Sequence, residues 1–322
     1  MTPLAHLSWL GLTLIAALGT RSAQATPLRE QAELSLWPGS APGSARLTVA
    51  ETVEERSRDA KNPDRAVHGI RTPTLTAFLP RQANGASIVI APGGGYVREV
   101  IDKEGSEIAA WFTARGVTVF VLKYRLPGEG HEHGSSVPLQ DAQRAVRLVR
   151  AQAAEWQLDP VRIGFLGFSA GGHVAASLAT QFARKVYEPV DVSDGASARP
   201  DFVLLLYPVI SMQSAIAHQG SKSALLGSHP SAAEVALHSC ELHVTAASPA
   251  TFLALADDDR SVVPENSLRY YEALKRARVR AELHVFLQGG HGFALRGSPD
   301  DASRHWPDLA WQWLQALGVV SR

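Results

Sequence analysis

The chain has 322 residues, 45% of them hydrophobic and 19% charged, with 31 basic and 31 acidic side chains. That length and apolar content suffice for one large globular core. The even charge balance leaves no electrostatic footprint for nucleic acid or for an anionic membrane surface.

Residues 1–25 read as an export signal. Leu7 to Leu18 is an apolar run, and Ala23-Gln24-Ala25 is a small-x-small cleavage site ahead of Thr26. The run is shorter than the ~20 residues a membrane span needs. The mature chain is therefore expected outside the cytoplasm, secreted or periplasmic, with no span of its own. Removing the leader takes away only Arg21, leaving 30 basic against 31 acidic side chains, a net of −1. Cys240 is the only cysteine, which excludes an internal disulfide, so the core alone must hold the fold.

Residues 26–70 mix charge with turn-formers such as Trp37-Pro38-Gly39 and Ala41-Pro42-Gly43, and are expected to wrap the surface or be partly mobile. Residues 71–322 are expected to form one domain. Leu75 to Leu79 alternates like a half-exposed edge strand closed by Pro80. Ala86 to Ile90 predicts a buried strand running into Pro92-Gly93-Gly94-Gly95-Tyr96. Glu104 to Arg115 carries a helical apolar face of Ile108, Ala109, Trp111 and Phe112, capped by Gly116. Val117 to Leu122 is continuous and β-branched, as in a strand covered on both faces. A helix is expected from about Leu139 to Trp156, with Ala142, Ala145, Val146 and Val149 inward and arginines outward. Arg162 to Leu166 predicts a short buried strand. Gly172 to Ala179 then reads as the first turns of a small-residue helix. Further strands are expected at Phe202–Leu206, Phe252–Ala256 and Glu282–Leu287, with helices at Asn266–Ala277 and Trp306–Leu317. Strands alternating with helices imply a mostly parallel sheet, doubly covered.

Between that short strand and helix lies Gly167-Phe168-Ser169-Ala170-Gly171. Strand, G-x-S-x-G, helix is the setting of a nucleophile elbow, a turn so sharp that the serine hydroxyl is lifted clear of the sheet. A serine hydroxyl needs a base within hydrogen-bond reach, and the base needs an orienting carboxylate. Gln288-Gly289-Gly290-His291-Gly292-Phe293 follows a late strand and offers His291 as that base. His284 lies within a strand, where packing is its expected role. His131 and His133 form an H-x-H pair, read as a solvated loop, because a zinc site needs three or four protein ligands. No metal or organic cofactor is expected.

The acid belongs in a loop between serine and histidine in chain order. Ala256-Asp257-Asp258-Asp259-Arg260 is that loop. Three adjacent aspartates cannot all orient one imidazole, so two are expected to be solvated or bonded to turn amides. An oxyanion hole needs backbone N–H donors, which Gly93-Gly94-Gly95 and Ala170 are placed to supply. A glycine triplet also suits a simple turn or a phosphate cradle, but no G-x-x-x-x-G-K-[ST] follows.

With these residues assembled, the chain resembles the α/β-hydrolase superfamily, and within it the bacterial secreted acetylesterases related to acetyl xylan and feruloyl esterases. The likeness runs from about Ser87 to Leu317. It rests on Pro92-Gly93-Gly94-Gly95-Tyr96, Leu139-Gln140-Asp141-Ala142, Gly167 to His173, Tyr207-Pro208-Val209-Ile210, Glu265-Asn266-Ser267-Leu268 and Gly289-Gly290-His291-Gly292-Phe293. The chain departs from the pattern at Leu255, where relatives commonly have histidine, and at Val263, where they often have proline. Matching the family's Asp-x-x-Val implies Asp259 as the triad acid, with Asp258 as runner-up. The resemblance implies an α/β-hydrolase fold and a serine esterase removing acetyl or similar short acyl groups, with plant polysaccharide or a small ester as substrate. Its implied site is Ser169, His291 and Asp259, with an oxyanion hole at Gly94, Gly95 and Ala170. Two other readings stand beside it: a peptidase or amidase of the same fold, and a binding protein without activity. The sequence carries no signal of oligomeric state.

Overall fold

The computed structural model describes residues 30–298 and 300–321. The expected export signal lies outside the described residues. In chain order the strands and helices are β1 (Glu30–Ser35), β2 (Thr52–Glu55), β3 (Arg65–His68), β4 (Thr74–Phe78), β5 (Ser87–Ala91), β6 (Glu99–Val100), α1 (Glu107–Thr113), β7 (Thr118–Lys123), α2 (Val137–Ala151), β8 (Ile163–Phe168), α3 (Ser169–Gln181), β9 (Phe202–Leu206), α4 (Gln219–Leu226), α5 (Ala232–Leu237), β10 (Ala250–Ala256), α6 (Glu265–Arg276), β11 (Ala281–Phe286) and α7 (Trp306–Leu317). A π-helical turn over Asp102–Ser106 leads into α1.

Eight strands form the main sheet in the order β1-β4-β7-β5-β8-β9-β10-β11. The six from β7 to β11 run parallel, and β1 and β4 pair antiparallel at one end. Because side chains alternate across a strand, the sheet builds two cores. Val89, Phe165, Val203 and Leu205 pack with α2, α3 and α6 on one face. Ile88, Ile90, Leu166, Leu204 and Leu206 pack with α1 and α7 on the other. Strands so covered read as uninterrupted apolar runs, which is why β7, β8 and β9 were legible.

Two expectations change here. The stretch before residue 70 does not merely wrap the surface: β1 adds a strand to the main sheet, and Leu36, Trp37, Val67 and Ile70 join its core. β4 is consequently an interior strand, nearly all buried, rather than an edge. A second, three-stranded sheet, β2-β3-β6, lies beside it.

The arginines of α2 do not all face outward either. Arg144 is 1% exposed. Its guanidinium pairs with Asp191, reaches Asp194 at 3.2 Å and donates to the Leu36 carbonyl at 2.9 Å. Arg147 donates to Tyr187 Oη and Arg150 pairs with Asp201. The helix is thus bolted to the 187–201 loop along the side that periodicity marks as solvated.

Candidate active site

β8 ends in extended backbone at Phe168, and the chain turns at once into α3 with Ser169 at φ +51°. That left-handed conformation is costly for a residue with a Cβ, of order 1–3 kcal/mol, and persists only where packing over-determines it. The packing is visible. A Cβ on Gly171 would lie 2.1 Å from the Ala91 carbonyl oxygen, so only glycine lets α3 sit this close to β5. A Cβ on Gly93 would stand 2.9 Å from Ser169 Cβ, which places the glycine triplet directly beside the serine.

Ser169 Oγ lies 2.8 Å from His291 Nε2. His291 Nδ1 lies 2.7 Å from Asp259 Oδ2. The other oxygen of Asp259 accepts from the N–H groups of Ser261 and Val262, both at 2.9 Å. A buried carboxylate holding two backbone donors makes His291 Nδ1–H the donor in their contact. The lone pair of Nε2 then faces the serine hydroxyl. The neighbouring acids stand elsewhere: Asp257 is exposed, and Asp258 Oδ1 accepts from the Gly290 N–H at 2.8 Å, fixing the loop that carries His291.

On the other side of Ser169, Gly94 has φ +139° and Gly95 φ +68°. A Cβ on Gly94 would fall 2.1 Å from the Arg98 carbonyl oxygen. Among the described residues, the N–H groups of Gly94 and Gly95 have no acceptor. Ala170 lies in the first turn of α3, where backbone N–H groups have no intrahelical partner. The Ala170 N–H thus adjoins the serine at the N-terminal, electropositive end of α3, and Gly94 and Gly95 carry two unpaired N–H groups next in chain to Gly93, which packs against that serine.

Four supporting residues have roles that sequence reasoning did not assign. Glu104, in the π-helical turn, is buried; its Oε2 accepts from the Gly93 N–H at 2.8 Å and its Oε1 from Tyr207 Oη at 3.0 Å. The Tyr207 ring in turn packs edge-on against His291, with centroids 5.1 Å apart. One carboxylate therefore links the glycine loop to the wall behind the imidazole. A signal existed: Glu104 lies four residues before Ile108 and eight before Phe112, so it continues their buried face. Tyr96 and His173 form the other link. His173 Nε2–H donates to the His238 carbonyl at 2.7 Å, leaving Nδ1 to accept from Tyr96 Oη at 2.7 Å. Burial pushes the His173 imidazole down to about 4, so it stays neutral and keeps that arrangement.

The segment after β9 is tied to the elbow, with the Val209 N–H donating to the Ser169 carbonyl at 3.0 Å. His218 caps α4 through Nδ1, which accepts from the Ser221 N–H at 3.2 Å. Burial first, and then the neighbouring His291, hold His218 below its ordinary range. His131 departs from its expected place in a solvated loop: it is 6% exposed and bonds Ser44 Oγ through Nδ1 at 2.9 Å, whereas His133 is exposed. Among the described residues no three His, Cys, Asp or Glu side chains gather as a metal site would require.

Against this geometry, the BD-FAE family model matches residues 75–274, more than half of the chain. The chain belongs to the BD-FAE family. An acetylxylan esterase of Xylanibacter ruminicola is 34% identical to this BD-FAE protein over 226 residues, 69% of this chain and 44% of that one. The chain thus spans less than half the length of that relative. Among solved structures, an acetyl ester-xyloside bifunctional hydrolase of Caldicellulosiruptor lactoaceticus superposes with a TM-score of 0.74 at 34% identity, covering 90% of this chain and 97% of that one. The carboxylesterase Cest-2923 of Lactobacillus plantarum gives 0.65 at 27% identity, covering 86% and 100%. The BD-FAE chain has the α/β-hydrolase fold, and these neighbours are described as ester hydrolases.

Proposed function

We propose that this protein is a serine esterase that removes short acyl groups, acetyl foremost, from esters of xylan or a related polysaccharide. One observation carries the chemistry: Ser169, His291 and Asp259 stand in relay at 2.8 and 2.7 Å beside the glycine loop. In this reading His291 takes the hydroxyl proton as Ser169 Oγ attacks the ester carbonyl, and Asp259 holds the imidazole in the required tautomer. The N–H groups of Gly94, Gly95 and Ala170 receive the negative charge that develops on the carbonyl oxygen. Collapse of the tetrahedral species expels the alcohol, protonated by His291. Water, deprotonated by the same imidazole, then attacks the acyl-serine and releases the acid.

The acetyl preference and the xylan-type substrate draw their support from the named relatives rather than from the catalytic groups. Export of the mature chain follows from residues 1–25, and N-terminal sequencing of the exported protein should begin at Thr26. The functional test is acetate release from a panel of acetylated xylan, xyloglucan and pectin. Release from xylan that disappears in Ser169→Ala supports the proposal. Acetate from none of the three, beside hydrolysis of an aminoacyl-nitroanilide, would replace it with the amidase reading.

A further inference from the structure

The loop that carries the glycine triplet doubles back on itself. The Val100 N–H donates to the Gly93 carbonyl at 2.9 Å, and Glu104 returns to the Gly93 N–H at 2.8 Å. Two cations ride on this closed loop. The Arg98 side chain crosses Gly94, its Cγ only 3.0 Å from where a Cβ on that glycine would stand. Lys103 reaches the other wall, with Nζ 3.5 Å from where a Cβ on Gly292 would stand, one residue past His291. Both side chains are half-buried.

Neighbouring cations are neutralised: Arg65 pairs with Asp102, and Arg296 with Glu107. Arg98 and Lys103 are different. Among the described residues neither has an acceptor or a carboxylate partner, and Arg98 Nε is fully buried without one. The nearby carboxylates are committed. Glu104 holds the two donors described above, and burial drives Glu99 well above the usual carboxylate range, so it stays neutral. A buried donor without an acceptor asks for an explanation.

We propose that Arg98 and Lys103 are specificity-determining residues that receive a carboxylate carried by the ester substrate on its alcohol side, as on an acidic sugar. The proposal rests on the ester-hydrolase reading. The stem of Arg98 packs on a glycine assigned to the oxyanion, and the Lys103 ammonium packs on the residue after the base, so the two cations belong to the two loops that flank the scissile ester. Charge-assisted hydrogen bonds to a guanidinium and an ammonium then give the bound ester the counter-charge that the free protein lacks.

The test compares 4-acetoxybenzoate with phenyl acetate, which differ by one carboxylate on the alcohol portion. The quantity read is the ratio of their kcat/KM values in the full protein. In Lys103→Gln and in Arg98→Gln this ratio should each fall about tenfold, the loss of one charge-assisted hydrogen bond. It should also fall in the wild type as sodium chloride is raised, and stay unchanged in Lys185→Gln, a surface substitution at a lysine paired with Glu188. Should Arg98→Gln fail to fold, Lys103→Gln decides, since that lysine holds no partner. An unchanged ratio in Lys103→Gln, with both esters turned over, overturns this proposal alone. Failure of the wild type to cleave either ester overturns the esterase reading and this proposal with it.

Discussion

At the residue scale the three adjacent aspartates separate into three different jobs, and each makes a distinct prediction. Asp259 touches the imidazole, Asp258 touches only the Gly290 N–H, and Asp257 is exposed. Asp259→Asn should therefore lower kcat on p-nitrophenyl acetate by about 10⁴, through the wrong tautomer of His291. Asp258→Asn keeps an oxygen for Gly290 and should lower it no more than about tenfold. Exchanged results would move the acid to Asp258. The choice between them was legible only by likeness to a family pattern, because three like residues in a row give local reasoning nothing to separate them. Tyr96→Phe tests the second link. It keeps the ring but leaves buried His173 Nδ1 only the Ser177 hydroxyl at 3.5 Å, at a cost of about 1–3 kcal/mol in stability. If the bond positions the glycine loop, kcat should fall with KM little changed. A loss of stability with kcat intact would make the contact structural only.

At the element scale the π-helical turn Asp102–Ser106 is the piece that joins the two walls of the site. Such turns recur at functional positions because they redirect a side chain without ending the helix. Here the redirected side chain is Glu104. The Glu104 carboxylate accepts from the Gly93 N–H and from Tyr207 Oη at once, and truncation removes both bonds. Glu104→Ala should therefore lower kcat by about 10- to 100-fold, with a smaller change in KM, as the loop loses its anchor to the wall behind the imidazole. Equal kcat in variant and wild type would show that the loop holds its shape without Glu104. What was legible at this scale follows the range of the forces. The apolar run of α7 was read at its true bounds, Trp306–Leu317, because local periodicity determines it. The interior place of β4 was not read, since its outer neighbour β1 lies about forty residues earlier in the chain. Arg144 was placed outside for the same reason: its partners, Asp191 and Asp194, are nearly fifty residues away.

For the whole molecule the N-terminal stretch is held by a buried charge network. Arg125 and Asp141 are both 0% exposed, joined at 2.8 Å, and Trp37 Nε1–H donates to the same carboxylate at 2.9 Å. Arg125 also donates to the Pro42 carbonyl and to Ser44 Oγ. Asp141→Asn leaves a buried guanidinium without its counter-charge and should cost about 3–5 kcal/mol, read as a lower urea midpoint. A loss below about 1 kcal/mol would mean that solvent reaches Arg125 after all. Acid should weaken the fold through the paired imidazoles. Burial holds His173 down at about 4 and His238 at about 3, against an ordinary 6.5. As pH falls from 6.5 toward those values, the unfolded chain takes up protons that the fold refuses, so stability drops across that window and is complete above it. The slope is bounded by about 1.4 kcal/mol per pH unit for each histidine. His238→Gln should flatten it, and identical slopes in both proteins would contradict this account.

The most direct measurement of the central claim is covalent. Treatment with a fluorophosphonate, followed by peptide mass spectrometry, should place one adduct on Ser169, with loss of esterase activity in proportion to labelling. Ser169→Ala should take up none. An adduct on another serine, or activity that survives full labelling of Ser169, would contradict the mechanism.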